Sequence, residues 1–168
     1  MAKNTHLEHL EDDILNNGSA GGKNAIAFLR ELGGMLHQKP SSISVTTKWD
    51  GAPAIVCGID PQTNLFFVGT KSVFAKTEPK ICYHDEDIDL WYTGQLASKL
   101  KYCLMHLKKM NITGVLQGDL LFTDDKFLQT INGKRAISFR PNTITYAVDA
   151  QTPLANTIKT AKLGIVFH

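Results

Sequence analysis

Ala54-Ile55-Val56-Cys57-Gly58-Ile59-Asp60-Pro61-Gln62-Thr63-Asn64-Leu65-Phe66-Phe67-Val68-Gly69-Thr70-Lys71 reads as a β-hairpin. Both arms are rich in β-branched and aromatic residues, and the five residues from Asp60 to Asn64 between them favour a turn. The β-rich pattern begins just upstream, at 43–50, so a further strand is expected to lead into the hairpin.

Before Pro40 the period is helical. Leu7, Leu10 and Ile14 share one face over 6–15, and Ile26, Leu29, Leu32 and Leu36 repeat the spacing over 23–36. Asn16-Asn17-Gly18-Ser19-Ala20-Gly21-Gly22-Lys23 separates them. It has a phosphate-loop composition, but the spacing before the lysine is wrong, Asn24 stands where a magnesium-binding Ser or Thr belongs, and no strand precedes it. It is read as a helix stop and restart. After the hairpin, Leu96, Leu100, Leu104 and Leu107 line one face of a long helix expected over 88–110, with lysines largely elsewhere. Three more strands follow at Val115–Phe122, 143–148 and 163–167. Helices first, then strands broken by one long helix, predict an α+β fold with a mainly antiparallel sheet and flanking helices. One domain over 1–168 is expected, with the helical segment 1–40 packed on it.

A chain of 168 residues, 43% hydrophobic and 20% charged, suits one globular core. The N-terminus is polar and the apolar runs are short, so neither a secretory signal nor a membrane span is expected, and the cytoplasm is the expected compartment. Cys57, Cys82 and Cys103 form no CxxC pair and are read as reduced packing residues. A net charge of +2 neither demands nor excludes nucleic acid.

Thr47-Lys48-Trp49-Asp50-Gly51 is the candidate for chemistry, although on the tetrapeptide alone Lys48 reads as a surface lysine near a turn. On a strand, Thr46, Lys48 and Asp50 point one way and Val45, Thr47 and Trp49 the other. A lysine that attacks phosphorus must shed its proton, and the free amine holds it up to about pH 10.4. The apolar run Ala52-Pro53-Ala54-Ile55-Val56 is expected to supply a dry wall and Lys71 a positive neighbour. Asp50 orients the amine or a bound metal, and Gly51 lets the backbone approach a nucleotide.

Thr47-Lys48-Trp49-Asp50-Gly51 resembles motif I of the covalent nucleotidyltransferases, the superfamily of ATP-dependent DNA and RNA ligases and mRNA-capping enzymes. Further likenesses follow in order. Phe66-Phe67-Val68-Gly69-Thr70-Lys71-Ser72 is similar to the strand whose basic residue contacts the ribose, and Leu116-Gln117-Gly118-Asp119-Leu120-Leu121 to motif III. Ile144-Thr145-Tyr146-Ala147-Val148-Asp149 resembles the strand whose aromatic stacks on the base, and Leu163-Gly164-Ile165-Val166 resembles motif IV. The wider text, with His6-Leu7-Glu8-His9-Leu10-Glu11-Asp12, also looks like a ligase-related family of tailed bacteriophages.

The resemblance implies an ATP-grasp-like adenylation domain with Lys48 as the nucleophile that takes AMP from ATP. It implies nucleotide contacts from Thr47, Lys48, Trp49, Asp50, Gly51, Lys71 and Tyr146, and a magnesium ligand at Asp119. DNA or RNA ends are the implied partners of a monomeric protein, and Lys134, Arg135 and Arg140 are the candidate phosphate contacts. The departures are specific. Asp119 is one methylene shorter than the usual glutamate, Leu163 stands where a glutamate holds metal, and no counterpart of the motif V lysines precedes His168. Residues 1–168 are therefore expected to bind ATP and to ligate poorly. The alternatives are a GTP-using capping enzyme and a non-catalytic nucleotide- or nucleic-acid-binding protein.

Other clusters read as fold. His84-Asp85-Glu86-Asp87-Ile88-Asp89 alternates acids like a calcium loop, but Leu90 and Leu96 occupy positions that need glycine and glutamate, so it is read as a helix cap. Asp124-Asp125 is read as a turn, Gly118 as a bulge, and His6 and His9 as a solvated helix face.

Overall fold

The hairpin expected at 54–71 forms, and the sheet grows outward from it. A computed structural model describes residues 9–45 and 47–168. The order of elements is α1 (Leu10–Leu36), β1 (Ala54–Ile59), β2 (Phe66–Gly69), α2 (Asp85–Trp91), α3 (Gly94–Leu107), β3 (Val115–Phe122), β4 (Lys126–Ile131), β5 (Lys134–Phe139), β6 (Tyr146–Asp149), α4 (Pro153–Thr160) and β7 (Gly164–Phe167). Short 3-10 turns occupy Lys71–Phe74 and Lys108–Met110. The chain divides into two compact units, 1–47 and 48–168.

The first unit contains α1, whose opening turn carries Glu11, Asp12 and Asp13 at the positive end of the helix dipole. The helix stop and restart expected over 16–23 falls on one residue: helical structure runs from Leu10 to Leu36 with Gly18 alone non-helical, at φ 55° and ψ −128°. That conformation suits only glycine, so a single residue bends the helix. A Cβ at Gly21 would lie 2.0 Å from the Asp13 carbonyl oxygen, so the limbs meet closely across the bend. His6 lies outside the described residues.

In the second unit β1 pairs antiparallel with β2, from Val56↔Gly69 to Ile59↔Phe66. Asp60 ties the turn: its carboxylate accepts from the Gln62 amide (2.8 Å), the Thr63 hydroxyl (3.1 Å) and the Tyr83 hydroxyl. On the other side of β1 lies β3, and beyond it β7, giving the antiparallel order β2-β1-β3-β7. Alternation along these strands makes two faces. Ile55, Cys57, Val68 and Leu120 join Leu100, Cys103 and Leu107 of α3 in the largest core cluster. All seven are fully buried. On the opposite face, Val56 and Phe67 pack with Val73, and Leu121 and Val166 pack with Ile137 and Phe139 of β5 and with Ala155 and Ile158 of α4.

The strand reading of the second half was incomplete. A second antiparallel sheet, β4-β5-β6, holds a hairpin that it omitted. Its turn is Asn132-Gly133, both at positive φ (50° and 78°), the signature of a two-residue hairpin. The helix α4 was also omitted, though Thr152 caps it by accepting from the Ala155 amide and Pro153 opens its first turn. The strand expected over 143–148 begins at Tyr146.

The helix expected over 88–110 is broken. α2 ends at Trp91, Tyr92 is extended, and α3 restarts at Gly94. The Tyr92 hydroxyl lies 2.7 Å from Ser72 Oγ and 3.2 Å from Thr70 Oγ1, which ties the break to the turn after β2. Asp87 caps α2 by accepting from the amides of Tyr83 and His84, as the acidic run suggested. Asp124-Asp125 is a turn: Asp125 accepts from the Thr123 amide (2.7 Å) and pairs with Lys99 (3.1 Å). Gly118 is not the bulge, which falls between Leu120 and Phe122. Among the described residues no helix is long and apolar enough to cross a membrane.

Candidate active site

No strand covers the described residues of 41–50, so the alternation expected around Lys48 does not apply. The reason lies in the hydrogen bonds. The Asp50 amide, which a ladder would have used, donates to the Tyr146 hydroxyl at 2.8 Å. Thr47 and Lys48 are exposed, and Thr46 lies outside the described residues. Of the dry wall expected from Ala52 to Val56, Ile55 and Val56 belong to β1 and are taken up by the two cores on either face of the sheet.

Gly51 and Ala52 enter the sheet alongside β3. The Ala52 amide donates to the Leu120 carbonyl (2.9 Å), and the Leu120 amide donates to the Pro53 carbonyl (3.1 Å) across a cis Ala52-Pro53 bond. A Cβ on Gly51 would stand 2.6 Å from the Asp119 Cβ and 2.9 Å from the Leu120 carbonyl oxygen. Only glycine permits this approach. The Lys48–Gly51 loop thus abuts Asp119.

Asp119 lies opposite Ala54 on one side and Val166 on the other. It shares the sheet face of Gln117 and is turned from the Leu120 core, between the Val56–Phe67 cluster and the Leu121–Val166 cluster. It is half-buried, and among the described residues its carboxylate accepts no hydrogen bond. No group of three His, Cys, Asp or Glu side chains converges among the described residues. A magnesium ion that keeps its waters and phosphate ligands needs only one or two carboxylates, so Asp119 fits as a single protein ligand.

Tyr146 also joins this site. Its ring centroid lies 5.2 Å from that of Trp49, tilted 45°, and 5.5 Å from Phe139 in a stacked arrangement. The Asp50 carboxylate accepts from Asn142 Nδ2 (3.1 Å) and from the Thr143 hydroxyl (3.2 Å). With both oxygens engaged, Asp50 is a strut between two segments of chain. Asn142 and Thr143 were missed by sequence reasoning, and no local signal links them to Asp50.

Other expected site residues are dispersed. Lys71 is not at a strand end: it opens the 3-10 turn capped by the Thr70 hydroxyl and is exposed there. Lys134 and Arg135 are neighbours on β5, so they project from opposite faces of the sheet, Arg135 on that of Ile137 and Phe139. Arg140 Nε donates to the Asn142 carbonyl (3.3 Å), beside the strut. Leu163 packs against the main core cluster.

Residues 4–168 match a family described as "Family of unknown function (DUF6267)". The chain belongs to DUF6267. No curated protein and no solved structure matches it.

Proposed function

We propose that this DUF6267 chain is a polynucleotide ligase-like nucleotidyltransferase with Lys48 as its nucleophile. The observation that carries the reading is the meeting of Gly51 with Asp119, which sets a half-buried carboxylate without a hydrogen-bond partner among the described residues beside the Lys48 segment. The sequence resemblance supports ATP as the substrate. Lys48, as the neutral amine, forms an Nζ–P bond to the α-phosphorus while the bond to pyrophosphate breaks in line, and the amine proton passes to solvent. The AMP then passes to a 5′-phosphate end as the N–P bond breaks, and a 3′-hydroxyl displaces it to join the strand. Magnesium, when bound, neutralises phosphate charge, with Asp119 as its protein ligand.

A binding-only role is the second reading, and Leu163 favours it. The residue in place of the motif IV glutamate is apolar and packs in the core. One experiment separates the readings: incubation with magnesium and α-labelled ATP or GTP, followed by denaturation and intact-mass analysis. Label on wild type that is absent from Lys48→Ala is the expected result. No adduct with either nucleotide would leave the binding role.

A further inference from the structure

The segment from Asn142 to Tyr146 grips the Lys48 loop through four contacts. Asn142 and Thr143 each donate to one oxygen of Asp50, the Tyr146 hydroxyl accepts from the Asp50 amide, and the Tyr146 ring lies against Trp49. The hydrogen-bonded partners sit 92 to 96 positions away in sequence, so the grip joins chain segments that local structure does not hold together. Each contact falls on one of the two residues that follow Lys48. Tyr146 already has Trp49 and Phe139 as ring neighbours, which conflicts with its expected place as the base-stacking aromatic.

We propose that Asn142, Thr143 and Tyr146 are positioning residues that set the direction of Lys48 through Asp50, and that Asp50 is a strut without contact to metal or nucleotide. The inference rests on the nucleotidyltransferase reading for its kinetic consequence and on geometry alone for the grip. A carboxylate with both oxygens held and its amide bonded leaves the next residues little freedom, and a reacting amine displaced by about 1 Å loses roughly 100-fold in rate.

The test uses the whole chain in a Trp91→Phe background, where Trp49 is the sole tryptophan. Tyr146→Phe removes only the hydroxyl, Thr143→Val removes a donor at nearly constant shape, and Thr143→Ser restores it. Three quantities are read: Trp49 emission with acrylamide quenching, hydrogen exchange at the Asp50 amide, and single-turnover AMP labelling beside ATP affinity. The expected result is a red-shifted, more quenchable Trp49 and a less protected Asp50 amide in Tyr146→Phe. Labelling slows roughly 10- to 100-fold at unchanged ATP affinity, and Thr143→Ser recovers what Thr143→Val loses. Unchanged emission and exchange would overturn the grip. ATP affinity falling in step with the rate would make these residues nucleotide contacts and overturn the positioning role. A wild type that takes no label yet shows the emission and exchange changes keeps the grip and removes the nucleotidyltransferase reading.

Discussion

Asp50 and Asp60 flank the same strand and are held in opposite ways. Asp60 is buried, and two of its three donors come from the next three residues, Gln62 and Thr63. Asp50 is half-buried, and its side-chain donors, Asn142 and Thr143, come from a loop beyond the second sheet's hairpin. A carboxylate satisfied by its own turn stabilises that turn, and its effect ends there. A carboxylate satisfied from a distant segment couples the two, so a displacement of one moves the other. The difference confines Asp60 to its own turn and makes Asp50 a link between two distant segments.

The largest effect expected is at Lys48. Lys48→Ala should abolish the AMP adduct seen by intact mass, while its melting temperature stays near wild type because the side chain is exposed. A retained adduct would place the nucleophile elsewhere and leave the Asp50 strut without a catalytic purpose.

Next comes Gly51→Ala. The added methyl must displace Asp119 or the Leu120 carbonyl, and overpacking of this kind costs about 1–3 kcal/mol. Urea denaturation should show that loss, with labelling reduced further because Asp119 shifts relative to Lys48. Unchanged stability would mean that the loop and β3 are not in contact, and the comparison would lose its premise.

Acid sharpens the contrast from the other side. The Tyr83 hydroxyl, followed by the Gln62 amide, holds the Asp60 carboxyl below the usual carboxylate range. A depressed folded-state value means that its stabilisation is present above the unfolded value of about 3.9 and disappears as pH falls through the lower folded value. Asp125 has the same sign: burial pushes it up, but the Thr123 amide and Lys99 together outweigh that. Melting temperature should fall as pH drops below about 4. Asp60→Asn should be less stable at neutral pH and flatter in acid. An Asp60→Asn profile parallel to wild type would show that the turn does not depend on the ionised form.

How far the sequence revealed this follows the same division. Ala54–Ile59 and Phe66–Gly69 were legible because the residues of their turn, Asp60 and Asn64, specify it locally, and Val115–Phe122 because apolar residues dominate both of its ends. β4 was not, since nearly all of it is exposed and it lacks the alternation a half-buried strand shows, although Asn132-Gly133 marked its turn. Leu100, Leu104 and Leu107 announced the buried face of α3, but nothing local announced the break at Tyr92, which depends on a bond to Ser72. The site divides likewise. Lys48, Asp119 and Tyr146 were singled out by residue type and order, whereas Asn142 and Thr143 acquire meaning only from their contact with Asp50.

The smallest effect expected concerns the basic residues at the tip of the second hairpin. Lys134 and Arg135 read as one patch in sequence, yet consecutive strand residues project to opposite faces, so a nucleic acid lying along one face meets only one of them. Arg135 shares the face of Phe139 and, across the ladder, of Tyr146. The inner part of that face is covered by Leu121 and α4, so on the ligase-like reading a strand end brought to Lys48 meets it only at its exposed end, at Arg135, and Lys134 is turned from it. Each phosphate contact contributes about 0.7 to the salt slope for single strands and about 0.9 for duplex. Arg135→Ala should lower the slope of log affinity against log salt by roughly one such contact, and Lys134→Ala should leave it unchanged. Anisotropy of a labelled nicked duplex, titrated at several salt concentrations, reads the difference. Equal losses from both variants would mean that the hairpin tip engages phosphates end-on, and Arg135 would then have no special relation to the side of the sheet that carries Tyr146.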